Sequence, residues 1–133
     1  MTPQVPPVDI TRLKAEAAKF GSTAYLLTVA GNRKPHCSVV VPGWDTKTGR
    51  LVVAAPGTWA GGDQAGHRDV TVLWPPALAG GYSLIVDGTA ATGTGPTGPR
   101  LAVTPTRAVL HRPERTGQRG STCSADCIQI IPS

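Results

Sequence analysis

The residue types of the turn formed by Gly57, Thr58, Trp59 and Ala60 could bind an anion. Thr58 is a suitable helix N-cap, and its hydroxyl group with the backbone N–H groups of the next two residues would form an anion-binding turn. An ionised partner roughly doubles the strength of a hydrogen bond, so an anion held there also calls for a nearby cation. The candidates for that cation are Arg33, His67 and Arg68, or a residue of a partner subunit.

Three tryptophans offer flat apolar rings on which an aromatic ligand could stack. Trp59 is the preferred ligand candidate, because the glycines that follow it argue against burial in a core. Trp74 ends an apolar run, and we expect it in the core or in a subunit interface. Trp44 could stack on a ligand in the same way.

The titratable residues indicate structural roles rather than catalysis. The three histidines lie on different segments and lack the spacing of a metal-binding pair, so we expect surface or structural positions and no metal site. Asp87 lies in an otherwise apolar strand, where an unpaired charge is costly. It is expected either to pair with Arg107 or Arg112 or to bind a ligand. The histidines are His36, His67 and His111.

The cysteines are odd in number, which argues against a disulfide framework. Cys37 falls in an apolar run and is expected to be a small core residue. Cys123 and Cys127 could form a redox pair or half of a metal site. Because further ligands are distant in the sequence, free thiols are the favoured interpretation.

Composition predicts a single domain over residues 1–133, with 40% hydrophobic and 16% charged residues. The 16 glycines and 13 prolines suit a β protein with short connections. There is no Gly-rich phosphate loop, no serine nucleophile elbow and no carboxylate pair, so hydrolases and kinases are poor candidates and no catalytic residue is assigned. No segment has the features of a secretion signal or a membrane helix, so a cytoplasmic protein is expected.

Much of the net charge of +5 lies near the C-terminus. No aromatic residues are interleaved with these arginines, so a solvated loop or an anion-binding edge is favoured over a nucleic-acid surface. The arginines are Arg107, Arg112, Arg115 and Arg119.

The apolar pattern predicts a mostly β fold with one or two short helices. Asp9 is expected to cap an amphipathic helix that ends at Gly21. Strands 70–74 and 82–86 are apolar on both faces, which places them in the middle of a filled barrel. Further strands are predicted at 24–29, 36–41, 50–55, 100–103, 107–110 and 128–131.

The remaining segments are predicted as connections. Residues 1–8 should form an extended arm, and Gly31-Asn32 a hairpin turn. Residues 58–67 are expected to be a loop or a loose helix, because their glycines disfavour a regular one. Residues 93–99 should form an exposed turn and residues 112–124 a basic loop.

Four segments of the sequence resemble the pyridoxamine 5′-phosphate oxidase-like split barrels. They are AYLLTVAGNRKPHCSVVV, GRLVVAAPGT, DVTVLWPP and YSLIVDGTA, and the resemblance covers roughly residues 10–111. It implies a split antiparallel β-barrel of about six to seven strands. It also implies a homodimer that binds FMN, or a deazaflavin coenzyme in actinobacterial members, at the subunit interface.

The sequence departs from this family where basic residues usually hold the flavin phosphate. Ser38 and Gly43 stand where an arginine and a lysine are common. Thr58, Trp59 and Ala60 replace a Ser-Arg-Lys type segment, and the Thr58 hydroxyl is what remains of that anchor. Oxidase activity on pyridoxamine phosphate is therefore not implied.

The resemblance implies a flavin- or deazaflavin-binding protein that acts as an oxidoreductase on a small molecule, with FMN as the first candidate cofactor. The alternative is a cofactor-free split-barrel dimer with a binding or structural role. A thiol- or metal-based function of the two C-terminal cysteines is a weaker third possibility. The predicted cofactor-binding residues are Ser38, Gly57, Thr58, Trp59, Ala60 and Arg68.

Overall fold

The computed structural model of the chain describes residues 9–29, 33–56, 69–96, 98–113 and 125–132. Within them, one helix accompanies a single antiparallel sheet of eight strands, which confirms the mostly β split barrel. No helix in these ranges is long and apolar enough to cross a membrane. The elements are α1 (Thr11–Ala18), β1 (Ala24–Val29), β2 (Pro35–Val40), β3 (Gly43–Asp45), β4 (Arg50–Ala54), β5 (Asp69–Trp74), β6 (Ser83–Gly95), β7 (Gly98–Pro113) and β8 (Ala125–Ile131).

The strands follow the order β2-β1-β5-β6-β7-β4-β3. The eighth strand, β8, is not part of this order and pairs with β7. The order begins with β2 and ends with β3, so these two strands border the split within the described sheet. Side chains alternate between the two faces of each strand, and one face surrounds the core. In β5, for example, Val70, Val72 and Trp74 are buried, whereas the residues between them are not.

One inward-facing row of side chains shows how the register builds the core. Ser38 of β2 lies opposite Leu26 of β1, and Leu26 lies opposite Val72 of β5. The row continues through Val86 of β6 to Ala108 of β7. The four apolar members of this row are completely buried, and Ser38 is half-buried because β2 is the edge strand. The barrel interior therefore opens at Ser38.

Helix α1 closes another part of the core. Ile10, Leu13 and Ala17 are buried in the core cluster, as their helical spacing predicted. Ile10, and not Asp9, occupies the N-cap position, but the Asp9 carboxylate still accepts a hydrogen bond from the Thr11 N–H at 3.0 Å. That bond lowers the pKa of Asp9.

Strands β6 and β7 form a hairpin that is longer than predicted. The two strands stay paired from Ser83 opposite His111 to Gly95 opposite Gly98, so most of the stretch predicted as an exposed turn is strand. The two strands predicted at 100–103 and 107–110 are parts of β7, and a β-bulge lies between them, because the pairing slips by one residue between Asp87 and Gly88.

Several boundaries differ from the predictions. The three residues of β3 were expected to be part of a connection, and Arg112 and Pro113 belong to β7 rather than to a loop. The last strand begins at Ala125, three residues earlier than predicted. The arm 1–8, the turn at 31–32, the segment 58–67 and the loop 114–124 lie outside the described residues.

Candidate functional site

Of the residues predicted to bind a cofactor, Ser38 lies in the described part of the chain. The other five belong to the segment between β4 and β5, and they lie outside the described residues. So do His67, Cys123 and the arginines at 115 and 119. The five residues are Gly57, Thr58, Trp59, Ala60 and Arg68.

Ser38 has a position that suits ligand binding. Its side chain shares the inward face of β2 with half-buried His36 and buried Val40. Because β2 is an edge strand, the Ser38 hydroxyl is sheltered by the barrel wall but not closed off from solvent. The strand has the sequence PHCSVV, so no lysine or arginine accompanies the hydroxyl there. Ser38 can donate or accept a hydrogen bond but supplies no charge.

Asp87 is held by its own cross-strand neighbours. The Thr71 hydroxyl donates to Asp87 Oδ1 at 2.8 Å, and Arg107 Nη1 lies 3.5 Å from Asp87 Oδ2. Thr71, Asp87 and Arg107 are aligned by the register of β5, β6 and β7. The predicted pairing with Arg107 is therefore confirmed. This group lies on the outward face of the sheet, away from Ser38.

Two tryptophans stack where α1 approaches β3. Trp74 is 1% exposed and belongs to the core, as predicted. The ring of half-buried Trp44 lies parallel to it, with 6.0 Å between centroids and 15° between planes. A cleft of about 350 Å³ opens beside this pair and is also lined by Lys14 and Ser22.

An apolar row crosses the outward face of the sheet. Val39 of β2 lies opposite Tyr25, and Tyr25 lies opposite Leu73. The row continues through Ile85 to Val109. Val39 is 66% exposed and Tyr25 is 36% exposed, so one end of the row presents apolar surface to solvent. Spacing along the chain does not predict this surface, because it is assembled from single residues of five strands.

The prediction that Cys37 is a core residue is wrong. Cys37 is an exposed free thiol, because it shares the outward face of β2 with Val39 rather than the inward face with Ser38. Cys127 is also exposed and free, opposite His111 in the β7–β8 ladder. In the ranges that the structure describes, no three His, Cys, Asp or Glu side chains form a group able to hold a metal ion.

No protein-family model matches the sequence. The chain is 37% identical to the uncharacterized proteins Mb0449c of Mycobacterium bovis and MT0457 of Mycobacterium tuberculosis, over 91% of the chain and 93% of each relative. The chain belongs to the family of these two proteins.

Solved structures with the same fold come from several bacteria. A general stress protein 26-related protein of the pyridoxinephosphate oxidase family from Clostridium acetobutylicum has a TM-score of 0.60 and 9% identity, covering 91% of the chain and 94% of that protein. A pyridoxamine 5′-phosphate oxidase-related, FMN binding protein from Nostoc punctiforme has a TM-score of 0.58 and 11% identity, covering 94% and 98%. A heme binding protein from Mycobacterium smegmatis has a TM-score of 0.56 and 15% identity, covering 95% of the chain and 60% of that protein. The fold is that of the pyridoxamine 5′-phosphate oxidase-like split barrels.

Proposed function

We propose that the chain binds a flavin or deazaflavin cofactor and acts, as a homodimer, as an oxidoreductase on a small molecule. The observation that carries the proposal is the half-buried hydroxyl of Ser38 on the inward face of the edge strand. Support also comes from the fold, which the chain shares with an FMN binding protein of Nostoc punctiforme. The relatives in mycobacteria favour a test of the deazaflavin beside FMN.

The predicted donors match the chemistry of a phosphate ester. Ser38 and Thr58 provide hydroxyl groups, Trp59 and Ala60 provide backbone N–H groups, and Arg68 provides a guanidinium. A single cation makes this a weaker anchor than one with several basic residues, because ionic hydrogen bonds are the strong ones. The chain should therefore bind its cofactor reversibly.

When bound, the cofactor supplies the redox chemistry, and no side-chain base is required. The chain's own residues position it. The turn at Thr58 would hold the phosphate end, Trp59 would stack on the ring system, and Ser38 would hydrogen-bond at the open edge of the barrel. The substrate would then approach the cofactor from the side that the barrel leaves open.

The homodimer part of the proposal rests on the outward apolar row. Val39 and Val41 are each 66% exposed, and Tyr25, opposite Val39, is 36% exposed. Val29 lies further along β1 on the same face as Tyr25 and is 39% exposed. Contact with a second copy would remove this apolar surface from water. A partner subunit could also contribute a charge to the phosphate site.

The second candidate function is a cofactor-free dimer with a binding or structural role. The observation that favours it is the lack of any lysine or arginine on β2, where related barrels commonly carry a basic anchor. The same experiment separates the two candidates.

That experiment begins with the visible spectrum of the purified protein and continues with titrations of FMN, the deazaflavin coenzyme and haemin. Micromolar binding of FMN or the deazaflavin, with a change in its visible absorbance or fluorescence, is expected. Haemin is included because a protein with this fold from Mycobacterium smegmatis binds heme. Binding of none of the three, or of haemin alone, would contradict the proposal.

A further inference from the structure

The cleft between α1 and β3 has the features of a second ligand site, and Ser38 is not among the residues that line it. Its volume is about 350 Å³. That volume lies at the lower end of the range of roughly 300–1,000 Å³ for small-molecule pockets. A one- or two-ring molecule fits this size better than a dinucleotide or a flavin does.

The floor of the cleft is aromatic and rigid. Trp74 is fixed in the core, and it supports the ring of Trp44 by parallel stacking. Both rings line the cleft, together with Pro42. A platform that is already ordered spares a ligand the entropic cost of ordering it, and flat rings bind well against such a surface.

The rim of the cleft is cationic and polar. Lys14 and Ser22 lie at its edge, on α1 and just after it. The Lys14 ammonium forms no ion pair within the described residues, whereas Lys19, just after α1, pairs with Glu16. Among the residues that the structure describes, no acidic one lines the cleft. An aromatic floor and a cationic rim select a ligand that has a flat apolar part and one negative charge.

We propose that this cleft binds a small planar aromatic carboxylate. Its ring would lie against Trp44, which the buried ring of Trp74 supports from within the core, and its carboxylate would interact with Lys14 and Ser22. Exposed Lys–carboxylate pairs are weak, so the ring supplies most of the affinity and the charge supplies selectivity. The site goes beyond the proposed cofactor function and does not depend on it.

The test uses naphthalene-2-carboxylate and its neutral carboxamide as probes, with no flavin added. Binding is followed by NMR through the indole N–H signals of Trp44 and Trp74. Both signals should shift with the carboxylate, and the carboxamide should bind more weakly. Lys14→Gln should weaken carboxylate binding about two- to fivefold and leave carboxamide binding unchanged. Lys19→Gln, which removes the same charge outside the cleft, should have no effect.

A second pair of variants tests the location. Ala18 lines the cleft and is exposed, so Ala18→Glu should reduce carboxylate binding more than about tenfold by bulk and repulsion. Ala15 is exposed on the same helix and does not line the cleft, so Ala15→Glu is the matched control and should bind normally. Absence of indole shifts at low-millimolar probe would overturn the proposal. Equal losses in both glutamate variants, or equal affinity for both probes, would overturn it too. Lys14→Gln decides the question if Ala18→Glu does not fold.

Discussion

Gly88 lies at the bulge of the β6–β7 hairpin, with the backbone of Thr104 close to its Cα atom. A Cβ atom at this position would lie 2.5 Å from the backbone oxygen of Thr104 and 2.8 Å from Cγ1 of Val103. The Thr104 oxygen is fixed in a paired strand and cannot rotate away as a side chain could. Gly88→Ala must therefore force β6 and β7 apart at the bulge.

The expected loss in the free energy of unfolding follows from this contact. Overpacking in a close-packed region costs about 1–3 kcal/mol, and a clash with backbone belongs at the upper end, about 3 kcal/mol. Gly93 lies on the same strand, and a Cβ there would meet no atom within 4 Å. Gly93→Ala should be neutral or should stabilise the fold by about 0.4–1 kcal/mol, because it restricts the unfolded chain.

Denaturant unfolding followed by tryptophan fluorescence and circular dichroism measures this difference. Gly88→Ala should lower the free energy of unfolding by about 3 kcal/mol relative to the wild type, a large part of the roughly 5–15 kcal/mol typical of a domain. The corresponding fall in Tm is on the order of 10 °C. If Gly88→Ala and Gly93→Ala have equal stability, the account of the bulge is wrong.

Three further predictions concern the hydrogen bonds of Asp87, the outward apolar row, and the carboxylates of Asp9 and Asp45. Asp87→Ala should lower the free energy of unfolding by about 1 kcal/mol, because it removes the Thr71 hydrogen bond and a solvent-exposed ion pair; unchanged thermal unfolding would contradict a structural role. The wild type should be the proposed homodimer in light scattering after size exclusion and Val39→Asp a monomer, and a dimer that persists in the variant would exclude the apolar row as its interface. Hydrogen bonds lower the pKa of Asp9 and Asp45 in the folded protein below the ordinary value of 3.8. Both carboxylates therefore stabilise the fold above pH 3.8, and this contribution is lost as the pH falls through their pKa in the folded protein. The Asp9→Asn, Asp45→Asn double variant should therefore lose stability less steeply than the wild type below pH 3.8 in urea unfolding, and identical acid profiles would refute the assignment.

The sequence was informative about the elements with strong apolar patterns. Helix α1 and strands β1, β4 and β5 lie close to their predicted bounds, because buried residues recur there at the helical or strand period. Strand β3 was missed because three residues are too few to show a period. Residues 93–95 are rich in glycine and threonine and were predicted as a turn, but pairing with β7 keeps them extended. Long-range pairing, which a local pattern does not contain, decided their structure.

The error at Cys37 has a similar origin. The polar residues of β2 are His36 and Ser38, which share one face, so alternation favours the opposite face, that of Cys37, as the buried one. The register with β1 puts Ser38 inward and Cys37 outward. The predicted position of Ser38 at a possible ligand site is compatible with this register. The outward apolar row and the α1–β3 cleft combine residues from distant segments, so neither could be found from spacing along the chain.

The central claim is that the turn at Thr58 holds the phosphate of a flavin or deazaflavin. Its most direct test is the dissociation constant of the preferred cofactor for the wild type, Thr58→Ala and the control Ser83→Ala, measured by absorbance or fluorescence titration. A hydrogen bond to a charged phosphate contributes about 1.5–3 kcal/mol, so Thr58→Ala should weaken binding at least about tenfold. Ser83 is a half-buried hydroxyl on β6, and its loss should leave binding unchanged. Equal affinity in all three proteins would contradict the claim.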